Sequence, residues 1–193
     1  MHKKMFSVLS VGFVSLLLLT ARAEAQEFSA DMISRTGKET VNAKIYVAKD
    51  KVRMEMPESI MIVRRDKNLS WMVMPADKMY MEHPVDMSSS PKVATQFDDE
   101  IERVAMGAED VDGQSAEKFK VTYREKNKAV SVYQWLRGGK IPVKVEAVDG
   151  SWGMEYKNLK TGPQSAELFE VPVDYEKFDM PSLGDMMKGF GGM

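Results

Sequence analysis

The stretch Ile141-Pro142-Val143-Lys144-Val145-Glu146-Ala147-Val148-Asp149-Gly150-Ser151-Trp152-Gly153-Met154-Glu155-Tyr156-Lys157 reads as two strands and the turn between them. Ile141, Val143, Val145 and Ala147 alternate with Lys144 and Glu146, and Trp152, Met154 and Tyr156 alternate with Glu155 and Lys157. A period of two sends successive side chains to opposite faces of an extended chain, and Asp149-Gly150 suits the left-handed backbone of a tight reversal. The stretch therefore predicts an antiparallel hairpin with one buried face.

The same pattern recurs upstream. Val52, Met54 and Met56 oppose Lys51, Arg53 and Glu55, and Phe119, Val121 and Tyr123 oppose Lys118, Lys120, Thr122 and Arg124. Turn clusters punctuate the chain at Lys49-Asp50, Asp66-Lys67-Asn68, Pro75-Ala76-Asp77, Asp112-Gly113, Lys126-Asn127 and Gly138-Gly139. Such short, mostly regular spacing is that of an antiparallel meander. The long interval between Ala76 and Asp112 is the exception. Within it Ser88-Ser89-Ser90-Pro91 is loop-like, and Phe97, Ile101, Val104 and Ala105 recur at helical spacing behind a capping Thr95 and the acidic run Asp98, Asp99 and Glu100. The expectation is a short amphipathic helix lying across a curved sheet; the alternative is a long loop with a strand resuming near Ile101.

Composition narrows the class. The 193 residues include 17 Met and no Cys, with 44% hydrophobic and 29% charged side chains. Disulfides, thiolate metal sites and a cysteine nucleophile are excluded, and the balance is that of a globular domain. His2, Lys3 and Lys4, an apolar run from Met5 to Leu19 and the small-residue site Ala23-Glu24-Ala25 read as a secretory signal peptide, too short to span a bilayer. The expected organisation is a signal peptide over 1–25, a domain over 26–179 and a flexible Gly/Met-rich tail over 180–193. The expected location is the periplasm. Lys and Arg are interleaved with acids, so no nucleic-acid surface is expected.

Around Asp66 the chain resembles a family. Asp66-Lys67-Asn68-Leu69-Ser70-Trp71-Met72-Val73-Met74-Pro75, preceded by Arg53 and Pro57-Glu58-Ser59-Ile60, resembles the turn, aromatic strand and closing Pro of the exported LolA/LolB-type lipoprotein carriers. Lys67 stands where those carriers have Gly, and Met74 where they have Asn. Over the wider chain, Phe28-Ser29-Ala30-Asp31-Met32, Lys51-Val52-Arg53-Met54-Glu55, Val111-Asp112-Gly113, Glu155-Tyr156-Lys157-Asn158 and Leu168-Phe169-Glu170-Val171-Pro172 with Tyr175 resemble a family of exported bacterial proteins built on a domain of unknown function and related to those carriers. Asp174 replaces the usual Gly of that closing motif. The resemblance implies a mainly β fold: a strongly curved antiparallel sheet forming an incomplete half-barrel, with a helix or loop lid over a concave face that can hold acyl chains.

Met54/Met56, Met72/Met74 and Met79/Met81 are three i, i+2 pairs, each projecting from one face of a strand. Three readings compete. The thioethers fill a core, or, with Trp71 and Trp152, they line an adaptable groove for a hydrophobic ligand, or Met79, Met81 and His83 hold Cu(I), which soft ligands select. Aromatic clusters, Trp71 with Tyr80 and Tyr133 with Trp135 and Trp152, suit strand edges. Arg53, opposite in parity to Met54, belongs to the outer face unless its strand curls to bring it onto a lid or a lipid head group.

Catalysis is not indicated. Once the signal peptide is removed His83 is the only histidine, and Gly138-Gly139-Lys140 lacks the rest of a phosphate loop. No cofactor is implied. The leading expectation is a non-enzymatic periplasmic protein binding lipid or a lipoprotein acyl chain; the alternative is an envelope module that recognises a protein partner.

Overall fold

The turn residues of the sequence fall where strands reverse, and they order the whole chain into one sheet. The computed structural model describes residues 26–85, 95–125 and 127–179. The strands are β1 (Phe28–Thr36), β2 (Glu39–Ala48), β3 (Lys51–Glu55), β4 (Ile60–Arg64), β5 (Leu69–Met74), β6 (Met79–Pro84), β7 (Glu100–Val111), β8 (Gln114–Glu125), β9 (Lys128–Arg137), β10 (Ile141–Ala147), β11 (Trp152–Thr161) and β12 (Glu176–Lys177). Their order across the sheet is β12-β6-β5-β4-β3-β2-β1-β11-β10-β9-β8-β7. All neighbours are antiparallel except the short β12, which runs parallel to β6. The sheet is strongly curved and unclosed, an incomplete barrel as the resemblance implied.

Two meanders are joined at the centre. β1 to β6 run outward in one direction and β11 back to β7 in the other, so the seam is the β1–β11 ladder, from Phe28 opposite Thr161 to Thr36 opposite Trp152. Phe28, Ala30, Ile45, Val47, Val143 and Tyr156 are buried there. The Phe28 and Tyr156 rings sit 5.6 Å apart, and burial pushes the Tyr156 hydroxyl up to about 12. A neighbouring cluster on β8, β9 and β10 contains Val121, Val132 and Val145.

The β7–β8 turn illustrates the local logic. Asp112 and Gly113 both adopt positive φ, 53° and 72°, the geometry of a two-residue reversal that matches strand twist. The Asp112 carboxylate then accepts the Asn158 N–H of β11 at 2.8 Å. Since β9 and β10 lie between β8 and β11 in the sheet, the hairpin tip must bend back over them.

The expected helix over Thr95–Ala105 does not form. Glu100–Val111 is a strand, paired along β8, and the strand resuming near Ile101 is the alternative that holds. Pairing with β8 satisfies the backbone of this segment along its length, and the apparent helical face dissolves. Ile101 falls at a bulge and Val104 faces away from Arg103, so both are exposed. Part of the capping chemistry survives, because the Glu100 carboxylate accepts the Phe97 N–H. Phe97 stacks on Tyr123 with centroids 4.5 Å apart, and Arg103 donates to Glu100, to the Thr95 carbonyl and to the fully buried Gln134. Among the described residues helix is limited to 3-10 turns, and none is long and apolar enough to cross a membrane. The expected signal peptide, the Ser88–Pro91 loop and the tail lie outside the described residues.

Candidate functional site

Strands β3 to β6 have two faces, and register assigns every side chain to one of them, because directly paired residues project together. On the first face are Ile60, Ile62, Trp71, Val73 and Tyr80, together with Arg53, Glu55, Arg64 and Glu82. This face is covered. Past β11 the chain crosses back and lays a 3-10 turn, Ala166–Phe169, onto it, with Phe169 only 1% exposed against Ile62, Trp71 and Val73.

The cover is a strap held by cations. Arg53 donates from Nη1 to the Leu168 carbonyl at 2.9 Å. Arg64, 4% exposed, donates from Nη1 to the Phe169 carbonyl at 3.2 Å and to the Glu170 carboxylate, while Nε and Nη2 grip Asp66 at 2.8 and 2.7 Å. Hydrogen bonding from Arg64 holds the Asp66 carboxyl below its ordinary range. Burial tends to raise the Glu170 carboxyl, but Arg64 and Lys67 together outweigh it and bring that group down as well. Farther along, Lys78 binds Asp174 at 2.8 Å, Lys177 binds Glu82 at 3.2 Å, and Glu82 also accepts the Trp71 indole N–H at 3.0 Å. Asp174, the departure from the Gly of the closing motif, thus gains an exposed ion-pair partner. Arg53 stays on the face its parity indicated, opposite Met54, and there it holds the strap.

The opposite face differs in kind. It carries Val52 and Met54 on β3, Met61 and Val63 on β4, Ser70, Met72 and Met74 on β5, and Met79, Met81 and His83 on β6. No Asp, Glu, Lys or Arg stands among them. Met54 pairs with Met61, Met61 with Met72 and Met72 with Met81, so four thioethers form one row across four strands; Met74 and Met79 pair beside it. Three interstrand steps make the row about 14 Å wide. These methionines are partly buried, yet among the described residues none belongs to, or packs against, any of the three buried clusters. Toward β2 the same face runs into the core at Ile45, which pairs with Met54.

Of the residues expected from sequence, the structure brings Met54, Met72, Met74, Met79 and Met81 together. Met56 follows β3, its N–H bonded to the Ser59 carbonyl. Trp71 does not join them: it lies on the covered face with Tyr80, because it alternates with Met72. Trp152 lies on β11 beyond β1 and β2, packed with Val121, Val132 and Val145, so it belongs to the core. β6 extends to Pro84, so His83 keeps the parity of Met81. Even so, Met79 and His83 are four extended residues apart, about 13 Å, which is not a compact ligand set for one ion. Among the described residues no group of three or more His, Asp or Glu converges for a metal.

Two contributors escaped the sequence reading. Met61 is central to the row, yet it has no Met two residues away, and only the reversal at Pro57-Glu58-Ser59 places it opposite Met54. Arg64 was hidden by its charged neighbours; its one signal was a position in the alternation with Ile60 and Ile62.

Residues 13–136 match the family model described as a domain of unknown function, DUF4412. The chain belongs to this family. No curated protein matches it by sequence. Among solved structures, this DUF4412 member is similar to MucB, with a TM-score of 0.54 and 14% identity over 79% of this chain and 59% of that one. The MucA/MucB complex of Pseudomonas aeruginosa gives a TM-score of 0.52 at 14% identity, over 79% of this chain and 58% of that chain. A putative outer membrane lipoprotein-sorting protein domain from Vibrio parahaemolyticus gives 0.32 at 13% identity, over 74% and 88%. The MucB likeness is one of fold, and the chain spans a little under three fifths of MucB's length.

Proposed function

We propose that this DUF4412 protein is a periplasmic binding module whose methionine face takes a hydrophobic ligand, the acyl chain of a lipid or lipoprotein. The observation that carries the reading is the in-register row Met54–Met61–Met72–Met81, charge-free and left outside the packed clusters. Thioether side chains are flexible and polarizable, so they mould to an irregular apolar ligand with little strain. The signal-peptide pattern at the start of the sequence supports export, and the described site calls for no cofactor.

The test is native mass spectrometry of the protein purified from its own envelope, with uptake of a fluorescent fatty acid measured alongside. Co-purifying lipid and saturable uptake, both lost in Met72→Glu, are expected. A protein that carries no lipid and takes up no probe would refute the reading.

A second reading rests on a different observation. Among the described residues β7 ends the sheet, pairs with β8 alone and exposes Val104 through Asp110, so its outer edge can accept an extended segment of an envelope protein as an added strand. Proline placed at Ala108 would abolish such a complex while leaving fatty-acid uptake intact.

A further inference from the structure

We infer that the methionine row is a site of reversible oxidative modification, at which a two-electron oxygen donor such as hypochlorous acid or hydrogen peroxide converts the face from apolar to polar. The functional consequence rests on the acyl-binding reading above; the modification does not. The chain contains no Cys, so no thiol competes for oxidant and the thioethers are its only sulfur. Their placement is uneven. Met32 and Met154 pack against buried clusters, whereas Met54, Met61, Met72 and Met81 stand side by side and, among the described residues, outside all three clusters. Leucine would supply the same apolar area, but only Met adds a site at which an oxidant can act.

The chemistry balances without help from the protein. The sulfur lone pair attacks the electrophilic atom of the oxidant, and the sulfur, losing two electrons overall, ends bonded to oxygen as the sulfoxide. Hypochlorous acid is reduced to chloride with release of a proton, and with peroxide the O–O bond breaks and water leaves. A sulfoxide is polar and accepts hydrogen bonds, and methionine sulfoxide reductases return it to the thioether. One such change on a surface matters little. Four in a row place a polar band across the whole width of the face. Ile62, Trp71, Val73 and Phe169 lie on the other side of these strands, so the fold survives the change.

The folded full chain is treated with limiting hypochlorous acid, and sulfoxide at each Met is measured by peptide mass spectrometry. Retention on a hydrophobic column and far-UV circular dichroism are followed in parallel. Met54, Met61, Met72 and Met81 are expected to oxidise several-fold more than Met32 and Met154. Retention should fall with an unchanged spectrum and return after treatment with methionine sulfoxide reductases of both stereospecificities. Met106, 51% exposed and alone on β7, is the internal control: it oxidises readily, and Met106→Leu leaves the loss of retention unchanged. In a variant with Leu at all four row positions, oxidation should remove less than half as much retention as in the native chain. Equal oxidation of Met32 and Met154, an oxidised row with unchanged retention, or loss of the fold on oxidation would each overturn the inference. If the reduced protein takes up no fatty acid, the ligand reading fails, while mass spectrometry and chromatography still decide the modification.

Discussion

The two faces of β3–β6 share one backbone but are built from different side chains. Under the strap stand Ile62, Trp71 and Val73, whose stiff or planar shapes fix a single packing against Phe169. On the other side stand Met54, Met61, Met72 and Met81, unbranched and free to rearrange. Charge follows the same division, and not in the usual sense: Arg53 and Arg64 lie beneath the strap, and on the Met face the described residues of β3–β6 carry no charge. The difference teaches that the covered side is specified by fit and hydrogen bonding, and the Met side by flexible apolar side chains free of charge.

The largest break in that contrast should come from Phe169→Ala. It removes the side chain that fills the covered face and should cost about 3–5 kcal/mol, read as a lowered urea midpoint with little change in slope. Next is Arg64→Leu, which leaves the Phe169 carbonyl without its donor and Asp66 and Glu170 without their shared cation. A loss of about 1–3 kcal/mol is expected, discounted because both carboxylates are partly solvated, with loosening of the strap visible as faster proteolysis after Tyr175. On the Met side the same measurements should barely respond. Met72→Leu should change stability by less than about 1.5 kcal/mol, and a larger loss would mean that the row is packed as a core.

The smallest effect should be that of acid. Asp66, Glu170 and Glu82 have carboxyls held below their ordinary range, so their contribution is complete above about pH 5, where the unfolded groups are largely ionised, and is lost as pH falls through the lowered folded values. Trp71 emission, sensitive to its bond with Glu82, should therefore shift below pH 4 and remain steady above it. A shift centred near neutrality would point to a different group.

Much of this was legible in the sequence, and the failures have physical causes. The alternation of Lys118 through Arg124 and the turn at Asp149-Gly150 specify β8 and the β10–β11 hairpin, because strand period and turn chemistry are local. Placing Met61 opposite Met54 requires knowing that Pro57-Glu58-Ser59 reverses the chain, and register across strands is a tertiary property. Phe97, Ile101 and Val104 fit a helix by spacing alone; hairpin pairing of Glu100–Val111 with the next strand, β8, overrode it. Trp71 shows the opposite error. Its alternation with Met72 already put it on the other face, and a shared apolar character concealed what parity had to say.

The position of β1 at the centre of the sheet has a further consequence, for the order of folding. The first strand must wait for β11, more than a hundred residues later in the chain, before its second edge is paired, and Phe169 must arrive after that to cover the older half. A chain threading out N-terminus first thus passes through a stage in which a six-stranded half-sheet is complete along its own length but exposed on a long inner edge. Contacts of such high sequence separation slow folding and lengthen that stage, and an unpaired inner edge can recruit other chains. Refolding yield should therefore depend on protein concentration more steeply for a fragment truncated before Trp152 than for the full chain.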